Sequence, residues 1–517
     1  MYPFAFLSSV IILFTYYFAA KPLLDYIRDP KGLRRYQNYN LLCGISNIGW
    51  CLEAWRGGIR SKRLGEMHKT HPVIRIGPNS LSYGHRNAIK DIYGHGTKCI
   101  KDVFYQSEAG SHTNLGNVID KRDHTQKRKM LAGGFALKNI EAWEFKVTEK
   151  VAHFVKACDR HCAAPLLQHP TMEDLNFDFR AWTNLFTMDA IADIALSENF
   201  GLLNTGNDVV KAQSGRGEVY QVGFRDCLHA SKIAHTRIAY ADEWYRFNSR
   251  YTTWAFPSYR KLWKLNQGWN DFVNHHAQKR LNRHLSGERL DDIFEFMMYN
   301  KDGKQNNLQL GEIIAETGVI LDAGSATTAI ALNNVMFWLL RNPSCLNRLR
   351  EEVDTALEPT DIVALYDKVS RLPYLRACLD ESLRITPPFS YNLPRRTPPE
   401  GAVILGSFVP GNTTVSMSSY VAHRDEEVFP DPEAFVPDRW LGESARELQP
   451  YFVPFSTGAR GCIGRNISYM EQTVMLATLV HRYEFALPYP DWDQQRVEVT
   501  NLLPGPMPLK VWRRSLV

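Results

Sequence analysis

Between about Asp120 and Leu340 the apolar residues fall at helical intervals, most clearly around Ala181–Leu196, Trp244–Leu262 and Ile313–Leu340. Recurrence at i, i+3, i+4 and i+7 marks helices with one buried face, so this part of the chain is predicted to be helical. The last stretch would run roughly 42 Å at about 1.5 Å per residue, enough to cross the whole protein. Upstream, HPVIRIGPNSLSYG from His71 sets Val73, Ile74 and Ile76 among the turn residues Pro72, Gly77, Pro78 and Asn79. That pattern predicts a short hairpin. After Pro387 prolines crowd together, with short apolar runs such as GAVILGSFV from Gly401 between them. Loops and short strands are expected there. The fold class expected is mainly α with small β-sheets.

The first 20 residues follow another pattern. Met1–Ala20 holds no charged side chain and carries Phe4, Phe6, Leu7, Val10, Ile11, Ile12, Leu13, Phe14 and Phe18. About that length crosses a hydrocarbon core, and a transmembrane anchor is expected. A cleaved signal peptide is the competing reading, but no basic residue precedes the run, and Phe18 sits where a small residue is wanted before cleavage after Ala20. Lys21, Arg28, Lys31, Arg34 and Arg35 outnumber Asp25 and Asp29, which places the rest of the chain on the cytosolic side. The division expected is 1–20 anchor, 21–40 basic juxtamembrane linker and 41–517 one large body, without repeats or Gly/Ser linkers.

Composition narrows the function. The 517 residues are 44% apolar, with 12 Trp, 23 Tyr and 26 Phe, which excludes a disordered or low-complexity chain. A formal charge of +6 with no run of like charges leaves no nucleic-acid footprint. Nine scattered cysteines, an odd number, suit reduced thiols better than a disulfide framework. Cys158, His161 and Cys162 look like half a metal site, but no second pair follows at zinc-like spacing.

The most informative segment is PFSTGARGCIGRNISYMEQTVMLATLV from Pro454. Gly458, Gly461 and Gly464 bracket Cys462, and a helix is expected from about Arg465. Glycines let a backbone approach a flat ligand closely, and a thiolate near a helix start is favoured by the helix N–H groups and by Arg460. Spacing alone leaves an ordinary loop cysteine equally open. Upstream, ESLR supplies Glu381 and Arg384, and FVPDRW supplies Arg439. One carboxylate can satisfy two guanidiniums with bidentate bonds, although an exposed i, i+3 pair contributes little. HTQKRK sets His124 and Arg128 one helical turn apart, and LPRRTPPEG supplies Arg395. AGSATT, Ala323–Thr328, lies inside the long apolar stretch, where Gly and Thr are weak helix formers; close helix packing is the alternative reading of its small residues.

The order Phe455, Gly458, Arg460, Cys462, Gly464 resembles the haem-binding loop of the cytochrome P450 family, and the other motifs fall in the family's order. The resemblance runs from His71 to Leu509 and includes HRDEEVFPDPEAF from His423. It implies the P450 fold, and haem b (iron protoporphyrin IX) ligated by Cys462. Phe455 would pack beside the sulfur and Gly464 would lie close to the haem. Arg460, His124, Arg128 and Arg395 would serve the propionates. Glu381, Arg384 and Arg439 would form the family's structural lock. Thiolate ligation that favours O–O cleavage is the general property of this class. Gly324 and Thr327 would face bound oxygen. Ala326 departs from the pattern, since the family usually has Asp or Glu there; Asp322, one turn earlier, is the candidate substitute through water.

The implied activity is a monooxygenase acting on a small organic substrate. NADPH would supply electrons through a separate cytochrome P450 reductase, because only 55 residues follow Cys462. Lys127, Lys129 and Arg465 are candidates for a basic surface meeting that partner. Phe104, Tyr105, His112, Phe224, Thr386, Pro388, Phe389 and Tyr391 are candidate pocket residues. RIGPNSLSYG, IYGHGT and ALNNVMFWLLRNP resemble filamentous-fungal microsomal enzymes related to benzoate para-hydroxylase and to secondary-metabolite clusters. The location expected is the endoplasmic reticulum membrane, single-pass, with the catalytic body cytosolic. A P450-fold isomerase or dehydratase working without reductase is the alternative, and a non-catalytic haem sensor a third.

Overall fold

The computed structural model describes residues 12, 13, 15–240 and 245–516. Nine helices build the site: α1 (Lys121–Leu131), α2 (Glu144–His161), α3 (Phe179–Leu196), α4 (Phe224–Ile238), α5 (Tyr245–Ala255), α6 (Pro257–Leu285), α7 (Leu310–Arg341), α8 (Pro373–Ile385) and α9 (Arg465–Arg482). Strands β1 (Gln37–Asn38), β2 (Val73–Gly77), β3 (Ser80–Tyr83), β4 (Ile100–Lys101), β5 (Val209–Gln213), β6 (Val219–Gly223), β7 (Arg395–Arg396) and β8 (Thr414–Ser416) matter most among the short strands.

The helix starts follow local chemistry. Asp120 caps α1 by accepting from the backbone N–H groups of Arg122 and Asp123. Pro257 and Pro373 open α6 and α8, where a missing N–H costs nothing. Gln309 and Glu312 form a reciprocal capping box at the head of α7. Helices α3, α7 and α9 are buried on most sides, which explains why they read as apolar nearly all round. They meet in one large core that also takes in Phe154, Phe186, Leu332, Leu379 and Met475.

The hairpin expected from His71 is β2–β3, and it seeds a six-stranded sheet in the order β1-β2-β3-β8-β7-β4. Residues at the end of the expected linker enter this sheet, because β1 pairs parallel with β2. At the other edge β4 runs antiparallel to β7 and sets Lys101 opposite Arg395. Two features differ from the expectation. The stretch Trp244–Leu262 is not one helix: α5 ends at Ala255 and α6 starts at Pro257, since proline removes an N–H and restricts the residue before it. Trp244 itself lies outside the described residues. A hairpin, β5–β6, also interrupts the helical half, turning at Ser214–Gly217.

The membrane-spanning helix expected over Met1–Ala20, and the membrane contact assigned to it, are corrected. Among the described residues one helix is long and apolar enough to cross a membrane, and it is α7, Leu310–Arg341. More than half of its most apolar window, 56%, is buried inside the protein. An apolar run of that length looks alike whether lipid or a protein core surrounds it, and here the core does. Met1–Ile11 and Phe14 lie outside the described residues. Tyr16–Ala20 forms a turn of π-helix that continues into the helix Lys21–Arg28.

Candidate active site

Segments far apart in sequence enclose a cavity of about 1380 Å³. The loop before α9 forms its floor. Gly458 sits at φ +70, and a Cβ there would lie 2.1 Å from the Tyr93 carbonyl oxygen, so only glycine fits. The loop closes on itself through Gly461 N–H to Gly458 O at 3.1 Å and Cys462 N–H to Phe455 O at 2.9 Å. Cys462, Phe455, Arg460 and Gly464 all line the cavity. The Cys462 side chain opens onto it although the residue lies deep in the fold. That depth raises the thiol pKa. Backbone N–H groups of Gly464 and Arg465 and the charges of Arg128 and Arg465 pull it back down. Arg460, expected to help the anionic sulfur, instead donates to the carbonyls of Val118 and Ile119 at 2.6 and 2.8 Å.

One rim is cationic. His124, Arg128 and Leu131 lie on one face of α1 at i, i+4 and i+7 and reach the cavity. Arg395 and Lys101 arrive from the sheet edge. Among the described residues, Arg128, Arg395 and Arg460 meet no carboxylate. Arg128 donates to Gly461 O at 2.7 Å, and Arg395 to Pro394 O at 3.0 Å. Burial, then the neighbouring charge of Arg395, lowers the Arg460 pKa to about 10. Burial, followed by Arg460 and Arg128, lowers that of His124 to about 4. A group bearing two carboxylates fits beside these three guanidiniums.

The opposite wall is α7. Gly324 packs against α3 so closely that a Cβ would lie 2.5 Å from Ile191 Cγ1, and it also faces the cavity. Thr327 lines the cavity and donates to Ala323 O at 2.7 Å, while Thr328 donates to Ser468 of α9 at 3.0 Å. Ala326 is fully buried in the core. Asp322 lines the cavity and pairs with Lys232 of α4 at 2.6 Å. Of the other pocket residues expected, Tyr105, His112, Pro388, Phe389 and Tyr391 line it, while Phe104, Phe224 and Thr386 do not.

Behind the floor, Glu381 is fully buried. Arg384 binds it with both arms at 2.8 Å, Arg439 donates at 3.1 Å and Trp440 Nε1 at 2.8 Å. Arg384 also donates to the carbonyls of His423 and Pro432, which ties α8 to the loop below it. Sequence reasoning gave no role to His423 itself. Its Nε2 accepts from Val453 N–H at 2.9 Å, so Nδ1 carries the proton and donates to Arg384 O at 3.1 Å. His423 thereby joins the Glu381–Arg384 lock to the cysteine loop. Burial and the Arg384 charge lower its pKa to about 3. Lys101 and Lys232 were also missed, since their neighbours in space lie far off in sequence. Lys127, expected on an exposed basic surface, turns inward to Glu316 at 2.9 Å; Lys129 and Arg465 are exposed.

The family description "Cytochrome P450" matches residues 48–510. The chain belongs to the cytochrome P450 family. Among similar proteins are the cytochrome P450 monooxygenase efuB of Hormonema carpetanum, 29% identical over 88% of this chain and 87% of the relative. Benzoate 4-monooxygenase bphA of Aspergillus niger is 29% identical over 94% and 93%. The cytochrome P450 monooxygenase atr2 of Stereocaulon alpinum is 30% identical over 84% and 81%. This P450 is thus an oxidoreductase of the monooxygenase type, related to fungal enzymes. Family membership implies a haem-thiolate cofactor, and the cavity suits it: thiol below, three arginines at the rim that meet no carboxylate among the described residues, apolar helix above.

Proposed function

We propose that this P450 inserts one atom of dioxygen into a C–H bond of a small organic substrate, in fungal secondary metabolism. The observation that carries the reading is Cys462 on the cavity floor, opposite Thr327 on α7, with Arg128, Arg395, Arg460 and His124 at the rim. Cys462 would ligate the haem iron, and the three arginines with His124 would hold its propionates. When bound, the haem supplies dioxygen activation. The chain's own residues do the rest. Phe455 and Gly464 frame the sulfur, while Tyr105, Phe389 and α7 exclude water and orient the substrate. Thr327 Oγ1 holds a proton and Asp322 can replenish it through water, standing in for the acid replaced by Ala326.

Electrons would come from NADPH through a separate reductase, with exposed Lys129 and Arg465 offered to an acidic partner. That no disulfide joins any two of the nine cysteines supports the reducing, cytosolic side of the endoplasmic reticulum.

Carbon monoxide added to the reduced enzyme should give the absorption band of thiolate-ligated haem, and Cys462→Ala should abolish it. A band retained in that variant would refute the ligand assignment. Product formation should require NADPH and reductase; turnover without either would mean an isomerase or dehydratase.

A further inference from the structure

The cavity's charge is lopsided beyond what the haem uses. Above the rim cluster, its lining includes Lys232, Arg250 and Arg260, and among the described residues its one carboxylate is Asp322. The two propionates would offset part of the rim and none of this upper group. Arg250 and Arg260 are exposed at the mouth. Lys232 is different. It is 8% exposed, so its ammonium has left water at a cost that only a partner offsets. Its partner is Asp322, 2.6 Å away, whose own side chain remains 34% exposed.

The pair leaves capacity to spare. An ammonium has three N–H donors, and Asp322 occupies one side of it. Among the described residues no carbonyl or hydroxyl accepts from Lys232 Nζ. His235, one turn further along α4 and also lining the cavity, does not compete as a cation. Burial, then the Lys232 charge, holds its pKa at about 4. The remaining wall combines Ile314, Val319, Ala323 and Trp263 with the polar side chains of Ser231 and Asn266. The space therefore offers one held, buried cation in a chamber whose lining as a whole is mostly apolar, with two guanidiniums at its entrance to draw anions in.

We propose that the substrate of this site is an organic carboxylate, an apolar body with one anionic end, and that Lys232 is the counter-ion that selects it. Asp322 fixes the ammonium's position. The inference rests on the reading of this cavity as the P450 substrate site, and Lys232 is a specificity-determining residue within it.

The test uses the haem-loaded enzyme and measures equilibrium binding by the shift of the haem absorption and by calorimetry. The probes are phenylacetate, cinnamate, 2-naphthoate and decanoate, each beside its methyl ester. At least one acid should bind ten-fold or more tighter than its ester. Lys232→Met should remove that preference while leaving ester affinity within two-fold, and Lys232→Arg should keep it. Asp322→Asn should tighten acid binding only, because it frees the cation; a purely structural pair would change acid and ester alike. A panel in which no acid outbinds its ester overturns the proposal, as does a Lys232→Met variant that keeps the preference. The carbon-monoxide band separates the two readings. Its absence in the unaltered enzyme sinks the haem-thiolate reading, and its presence in each variant shows a folded, loaded protein, so that lost acid preference reports on Lys232.

Discussion

Glu471 marks how far one residue can depart from the rule that buried charges are paired. It sits on α9, 1% exposed, and neither carboxyl oxygen has a hydrogen-bond partner among the described residues. Burial raises its pKa well above the ordinary value, so the fold favours its neutral form. The unfolded carboxyl ionises near its usual pKa of about 4.5. A raised folded pKa therefore removes stability as pH climbs above that value, and the loss grows until the folded pKa is reached. Glu471→Met, an apolar replacement of similar length, should stabilise the protein by about 1–3 kcal/mol at pH 7.5. The gain should shrink as pH falls to about 4, where the unfolded carboxyl is largely protonated. Melting temperatures of both proteins across this range check the sign.

At the scale of elements, α7 packs tightly against α3 at the site. Gly324 allows it, since any Cβ would strike Ile191. Gly324→Ala should cost about 1–3 kcal/mol by overpacking. Ile191→Ala in the same chain, which removes the Cγ1 that the new Cβ would strike, should cost less than it does alone, and a double-mutant cycle read by denaturant titration would show the coupling. Independent losses would mean that the two helices have room to part. Ala326 belongs to the same packing. It lies in the core, so an Asp introduced there would be buried as well as acidic. The small residues of AGSATT thus serve helix packing and the cavity together, and the two readings open at the sequence level are not exclusive.

Across the whole molecule, the cysteine loop is held by residues from three distant segments. Glu381 and Arg384 come from α8, Arg439 and Trp440 from the turn at Pro437–Trp440, and His423 links them to Val453. Glu381→Gln would leave Arg384 buried with its charge uncompensated, a loss of about 3–5 kcal/mol by the usual cost of breaking a buried pair. The expected result is a markedly lower melting temperature together with poorer haem retention, measured as the ratio of haem absorbance to protein. Unchanged haem retention would mean that the loop keeps its shape without the lock.

The sequence by itself determined whatever depends on neighbours along the chain. The glycine-bracketed Cys462 loop, the helix after it, the His71 hairpin and the one-turn spacing of His124 and Arg128 are local, set by backbone freedom and helical period. Their order along the chain also pointed to the family. Only the tertiary structure decided what depends on neighbours in space. Lys101 lies opposite Arg395 through sheet pairing, Lys232 meets Asp322 across two helices, and His423 reaches Val453. The apolar length of α7 could be read from sequence, but whether lipid or protein surrounds it could not. Apolar side chains satisfy either solvent equally, and only packing against α3 and α9 makes this helix a core element.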